Sequence, residues 1–230
     1  HARFAVILCA TPAALAQATF TPLGFLIPNV PYSQGFALSA DGHTAVGQSL
    51  LSGGLGGLSG SYRWSQDTNM ISAFDIAGAS STAAAASADG SAIVGWADFG
   101  AFSPLGMQAY LFTPATGAQL LGDFASNPNG VPRSSARAVS ADGSVIVGYG
   151  LSSRGTEAFV YSVAAHSFTG LGALATGANF SSWAYGVSAN GQVVVGSSYS
   201  AANQLQAFRW TAAGGMAAIP YLDMPAAVQH

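Results

Sequence analysis

Hydrophobic positions along this chain come in short bursts rich in Val, Ile, Phe, Tyr and Trp, each bounded by Gly, Asp, Asn, Ser or Pro. No burst is long enough to carry the 3.6-residue period of a helix, so the pattern predicts short strands joined by tight turns. Between residues 134 and 174 it predicts four strands, at 134–141, 144–150, 156–162 and 167–174. The same pattern recurs along the chain, which makes the repeat the first thing to define.

Tetrapeptides Ser-Ala-Asp/Asn-Gly begin at Ser39, Ser87, Ser140 and Ser188, and a second glycine follows five residues after the first, at Gly47, Gly95, Gly148 and Gly196. Aromatic-x-aromatic triplets keep step at Tyr62-Arg63-Trp64, Tyr110-Leu111-Phe112, Phe159-Val160-Tyr161 and Phe208-Arg209-Trp210. A third landmark is an apolar segment, seen in Leu23–Leu26, Ile71–Phe74, Leu120–Phe124, Leu171–Leu174 and Ile219–Leu222. The repeat length is about 49 residues, and units of four antiparallel strands at that length are the signature of β-propeller blades. The expected fold is therefore all-β, a β-propeller-like array of four repeats at about 27–75, 76–124, 125–174 and 175–223. A β-solenoid is the competing architecture, but its coils are shorter and lack a hairpin in every unit.

If Phe20–Leu26 were the outermost strand of a split blade, ring closure would need a last unit with three strands of its own. The fourth unit instead predicts a fourth strand at Met216–Leu222. The expectation is an incomplete ring, belonging to a longer protein with more blades.

Composition narrows the setting. The 230 residues are 50% hydrophobic and only 7% charged, with a formal net charge of −3 and 29 glycines, which describes a chain able to bury a core and not a disordered one. It has no lysine, and its six basic residues, all arginine, are too thinly spread to neutralise a run of phosphates, so nucleic acid is not an expected partner. The first residues set Arg3 before an apolar run from Phe4 to Ala10 and the triplet Ala14-Leu15-Ala16. That layout predicts a partial signal peptide over 1–16, a mature domain over 17–230, and export without a transmembrane helix. The single cysteine, Cys9, lies in that leader, leaving an exported domain without disulfides.

The triplets Gln108-Ala109-Tyr110, Glu157-Ala158-Phe159 and Gln206-Ala207-Phe208, the Phe208–Thr211 stretch FRWT, the Leu-Gly of the fourth strands and the Val-Ser-Ala-Asp-Gly hairpin together resemble the HAF repeat family. These are bacterial extracellular repeat proteins, some joined to an autotransporter barrel or a surface-sorting tail. The resemblance covers about Phe20–Leu222. Here histidine never opens the triplet, and the first unit has Gly60-Ser61-Tyr62 instead. The resemblance implies export, as secretion or as display at the outer membrane, a repeat fold, and no catalytic residues or cofactors to carry over. The hairpin also resembles the SPDG turns of TolB-type propellers.

Candidate chemistry is sparse. Asp41-Gly42, Asp89-Gly90, Asp142-Gly143 and Asn190-Gly191 occupy equivalent places, and the Asp/Asn exchange with glycine reads as a structural hairpin turn, since one carboxylate per loop cannot encircle calcium. His43 follows one hairpin, and His166 aligns with Asn69, Gly117 and Gly215, a set that shares tolerance of left-handed backbone. No G-x-S-x-G elbow, paired histidines or phosphate-binding glycine loop with lysine occurs, so no catalytic or metal site is predicted. Trp64 and Trp210 are expected to pack between blades. Trp96, Trp183 and Tyr185 are specific to their units and are the candidate binding residues, able to stack on a sugar or a peptide. The expected function is a secreted or cell-surface scaffold or recognition protein with an unidentified glycan or protein partner. The alternative is a secreted, glycosidase-like hydrolase using carboxylates from different blades.

Overall fold

The computed structural model describes residues 21–52, 57–74, 78–177 and 180–220. The predicted leader, Asp75 and Asp223 lie outside those residues. Among the described residues, sixteen strands form four antiparallel four-stranded sheets, each following chain order. The first holds β1 (Ser33–Leu38), β2 (Thr44–Leu50), β3 (Ser59–Ser65) and β4 (Asn69–Ser72). The second holds β5 (Ser80–Ala86), β6 (Ile93–Asp98), β7 (Met107–Thr113) and β8 (Gly117–Gly122). The third holds β9 (Ser135–Val139), β10 (Val145–Ser152), β11 (Gly155–Ser162) and β12 (Ser167–Gly170). The fourth holds β13 (Ser182–Val187), β14 (Val193–Tyr199), β15 (Leu205–Thr211) and β16 (Gly215–Ala218). The expected β-propeller-like array is thus observed, and it is open.

Blade faces stack through one repeated set of contacts. Val46 packs with Ala83 and Ile93, Val94 with Ala136 and Ile146, and Val147 with Ala184 and Val194. Neighbouring first strands β1, β5, β9 and β13 touch in sequence, so they form the inner layer of the array. Fourth strands lie outermost.

A serine six residues before each hairpin motif joins the blades. Ser134 Oγ accepts the amide N–H of Ala109 at 2.9 Å and donates to the Gly122 carbonyl. Ser182 Oγ likewise accepts from Ala158 N at 2.9 Å and donates to Gly172 O at 2.6 Å, while Ser81 Oγ accepts from Ser61 N at 2.8 Å. These hydroxyls satisfy backbone groups that blade stacking removes from water. Ser33, the equivalent in the first blade, donates to Gly24 O at 2.8 Å.

No strand covers Thr21–Leu26, where a split blade would have its outermost strand. Pro22 removes an amide donor there, and Gly24 turns the chain at φ 87°. With β16 completing the fourth sheet, the segment instead binds the first blade, Leu26 N donating to Ser49 Oγ at 3.1 Å.

The hairpin motifs close both within and between blades. Ser140 Oγ donates to Asp142 Oδ1 at 2.6 Å, Ser144 N donates to the same oxygen at 3.0 Å, and Val145 N donates to Ser140 Oγ at 3.0 Å. The other three motifs repeat this, with Asn190 Oδ1 accepting from Gln192 N at 3.2 Å. Backbone bonds link successive turns, Ala88 N to Ala141 O and Ala141 N to Ala189 O, each 3.0 Å. The turns therefore form a rim that ties blade to blade.

That network gives a pH signature. The Ser140 hydroxyl and the Ser144 amide hold Asp142 at a pKa of about 2, and the Ser91 amide with the Ser87 hydroxyl holds Asp89 at about 2. Since both lie below the ordinary value of about 3.9, their contribution is present above that value and lost as pH falls through about 2. The variant Asp89→Asn/Asp142→Asn is expected to fold normally at neutral pH, because Asn190 already fills this role. Its thermal midpoint should fall less than that of the parent between pH values of about 4 and 2. An unchanged acid limb would remove these carboxylates from the acid response.

Candidate functional site

Each inner strand carries a β-bulge at the same place. Pairing skips from Gly35 to Ala37, Ala83 to Ala85, Ala136 to Ala138 and Ala184 to Gly186, leaving Phe36, Ala84, Arg137 and Tyr185 as the extra residues. The second glycine of each repeat makes this possible. A Cβ at Gly47, Gly95, Gly148 or Gly196 would lie 1.8, 1.9, 1.9 or 2.0 Å from the carbonyl oxygen of Gln34, Thr82, Ser135 or Trp183 on the inner strand. Only glycine lets the two backbones approach so closely, and the bulge then re-aims one side chain per blade.

The four re-aimed positions converge. Phe36, Ala84, Arg137 and Tyr185, with Trp96 from β6, line one pocket of about 260 Å³. Phe36 is 50% and Tyr185 53% exposed, a large apolar presentation for residues on the innermost strands. The Arg137 guanidinium sits 4.2 Å from the centre of the Trp96 ring and 5.3 Å from that of Tyr149, and its Nη2 donates to the Tyr149 hydroxyl at 2.8 Å. Arg137 Nε is buried without a hydrogen-bond partner, and among the described residues no carboxylate lies within ion-pairing distance of this arginine. The side chain is thus a half-buried cation held in place by aromatic faces.

Tyr149 also lines a second, larger cleft of about 430 Å³, shared with Met107, Arg133, Leu151 and Trp183. Trp183 stacks edge-on against Tyr199 with ring centres 5.9 Å apart. Of the three candidate aromatics, Trp96 and Tyr185 therefore meet in one pocket, whereas Trp183 belongs to the adjoining cleft. Arg137 and Phe36 were not among the sequence candidates.

Two acids brace the surrounding loops. Asp123, whose pKa burial pushes up, accepts amide N–H bonds from Phe124, Arg133 and Leu151, and Gly150 leaves room for it. Glu157 is 2% exposed, pairs with Arg154 at 2.5 Å and accepts Gly172 N at 3.1 Å, while Arg154 lies over the Phe180 ring. Asp98, at the larger cleft, accepts Gly100 N at 2.8 Å. His166 has φ 47° and Asn69 φ 55°, beside Gly117 and Gly215 at 68° and 65°, so all four equivalent turns use left-handed backbone. Among the described residues no three His, Cys, Asp or Glu side chains are placed to hold a metal, and no helix is long and apolar enough to cross a membrane.

No family model and no curated protein sequence matches the chain. Its fold is similar to solved structures. TolB from Acinetobacter baumannii superposes with a TM-score of 0.55 at 13% identity, over 81% of this chain and 43% of that one. For putative TolB from Agrobacterium tumefaciens the values are 0.57, 15%, 85% and 64%. A puromycin hydrolase gives 0.55, 16%, 84% and 30%. The chain spans less than two thirds of each of these proteins. At such identities the likeness is one of fold.

Proposed function

We propose that this chain is part of a secreted or surface-displayed, HAF-like repeat protein that recognises an extracellular partner at the inner strands of its blades. The observation that carries this reading is the convergence of Phe36, Arg137 and Tyr185, from three sequence-distant bulges, on one pocket with Trp96. A fold that needed only packing would gain nothing from two half-exposed aromatics there. Export is supported by the layout of the first sixteen residues. The hydrolase alternative requires carboxylates free to exchange protons across a pocket. Among the described acids, Asp123 and Glu157 are instead engaged in holding loops.

The test is binding of the folded protein to glycan and peptide arrays, beside the variant Phe36→Ala/Tyr185→Ala. Both substitutions sit at exposed positions, so the thermal midpoint should stay close to that of the parent, while affinity for any hit falls about tenfold or more. Hits that survive unchanged in a folded variant would place recognition elsewhere.

A further inference from the structure

We infer that the inner-strand pocket takes a carboxylate-bearing sugar ring, and that the natural ligand is an acidic glycan with uronate units; this rests on the recognition reading above. Arg137 is the centre of the site. Among the described residues it is the one charged side chain lining the pocket and has no carboxylate in ion-pairing range, and two aromatic rings hold it in place. A partly desolvated cation without a counter-charge is a site where an incoming anion gains more than it would in water. The stacking and the Tyr149 hydrogen bond fix the guanidinium plane before binding, which lowers the ordering cost of a charge-assisted contact.

The surroundings favour a sugar acid over a bare anion. Phe36 and Tyr185 offer half-exposed apolar rings beside the cation, and the C–H face of a pyranose can lie on such rings while its carboxylate, in the ring plane, reaches Arg137. The site also has a direction. Tyr149, bonded to Arg137, is at the same time a wall of the larger cleft, where Trp183 adds another aromatic surface and Arg133 a second cation. Successive stacking surfaces with cations between them suit a linear polymer of acidic sugars. Asp98 also lines that cleft, and its charge disfavours a carboxylate on the ring nearest to it.

The experiment is calorimetric titration of the whole chain with oligogalacturonate, with its fully methyl-esterified form, and with a neutral galactose oligomer of equal length. The proposal expects binding of the acid form, weakened about tenfold or more by esterification and by Arg137→Gln. Arg209→Gln, the same charge change at an exposed position of β15, should leave it unaltered. Equal binding of the acid and neutral oligomers, or no binding of the acid form by folded protein, overturns the inference. The ester comparison uses the parent chain alone, so it decides even if Arg137→Gln fails to fold. Should the neutral oligomer bind and lose affinity in Phe36→Ala/Tyr185→Ala, the recognition site stands and the acid requirement falls. Should acid binding survive that double variant unchanged, the site itself is misplaced. Competition by a peptide ending in a free carboxylate, with no competition by free galacturonate, would assign Arg137 to a peptide and also overturn the sugar.

Discussion

Gly148→Ala is expected to lower the midpoint of thermal unfolding by about 10 °C or more, corresponding to about 3 to 5 kcal/mol. The added Cβ would lie 1.9 Å from the Ser135 carbonyl oxygen and 2.9 Å from its carbon, so neither a rotamer change nor a small side-chain shift can relieve it. The inner strand must move away, which unpairs Ala136 from Gly148 and removes the bulge that presents Arg137. The damage should therefore reach the site as well as the fold: any ligand of the Arg137 pocket should bind more weakly even at temperatures where the variant is folded. A midpoint within about 2 °C of the parent would mean that the backbones do not approach as closely as described.

Val147→Asp is expected to be comparably severe, about 4 kcal/mol or more, because it places a carboxylate without a partner between the third and fourth blades. Val147 is 0% exposed and packs with Ala184, Val194 and Phe208. The equivalent residue of the fourth blade provides an internal control. Val195 is 43% exposed where Val46, Val94 and Val147 are 0%, and Ile219 is 44% exposed where Ala73 and Leu171 are 1% and 6%. The same substitution at Val195 should cost no more than about 0.5 kcal/mol. Thermal melts of the two variants side by side check this, and equal losses would mean that the fourth blade's open face is covered in solution.

The contrast between these valines shows what a repeat makes legible. Glycine and Asp/Asn-Gly at fixed spacing, aromatics in step and strand-length bursts are all visible as recurrences, and they define the blades, the hairpins and even the left-handed turn at His166. The bulge is invisible for the opposite reason. Its four residues are Phe36, Ala84, Arg137 and Tyr185, so position is shared while identity is not, and a search for recurrence passes over them. Tyr185 and Trp96 stood out only as aromatics lacking counterparts. Arg137 looked like one of a few scattered arginines, because its meaning depends on Trp96 and Tyr149 folding over it. The blade-joining serines, six residues before each hairpin, did recur, but a serine before a strand carries no signal of burial without the neighbouring blade. A strand over Phe20–Leu26 rests on apolar content alone, and Pro22 and Gly24 within the segment argue against it; no strand covers its described part, Thr21–Leu26.

Recognition, as proposed, takes place where the inner-strand bulges converge. The most direct measurement is fluorine NMR of the chain labelled with 5-fluorotryptophan, titrated with the tightest-binding array hit. The chain has four tryptophans, assignable by single Trp→Phe variants. The account predicts that the Trp96 resonance shifts with saturation at the binding stoichiometry, while Trp64 and Trp210, on third strands away from the pocket, stay in place. A stationary Trp96 beside a shifting Trp64 or Trp210, at full occupancy, would contradict it.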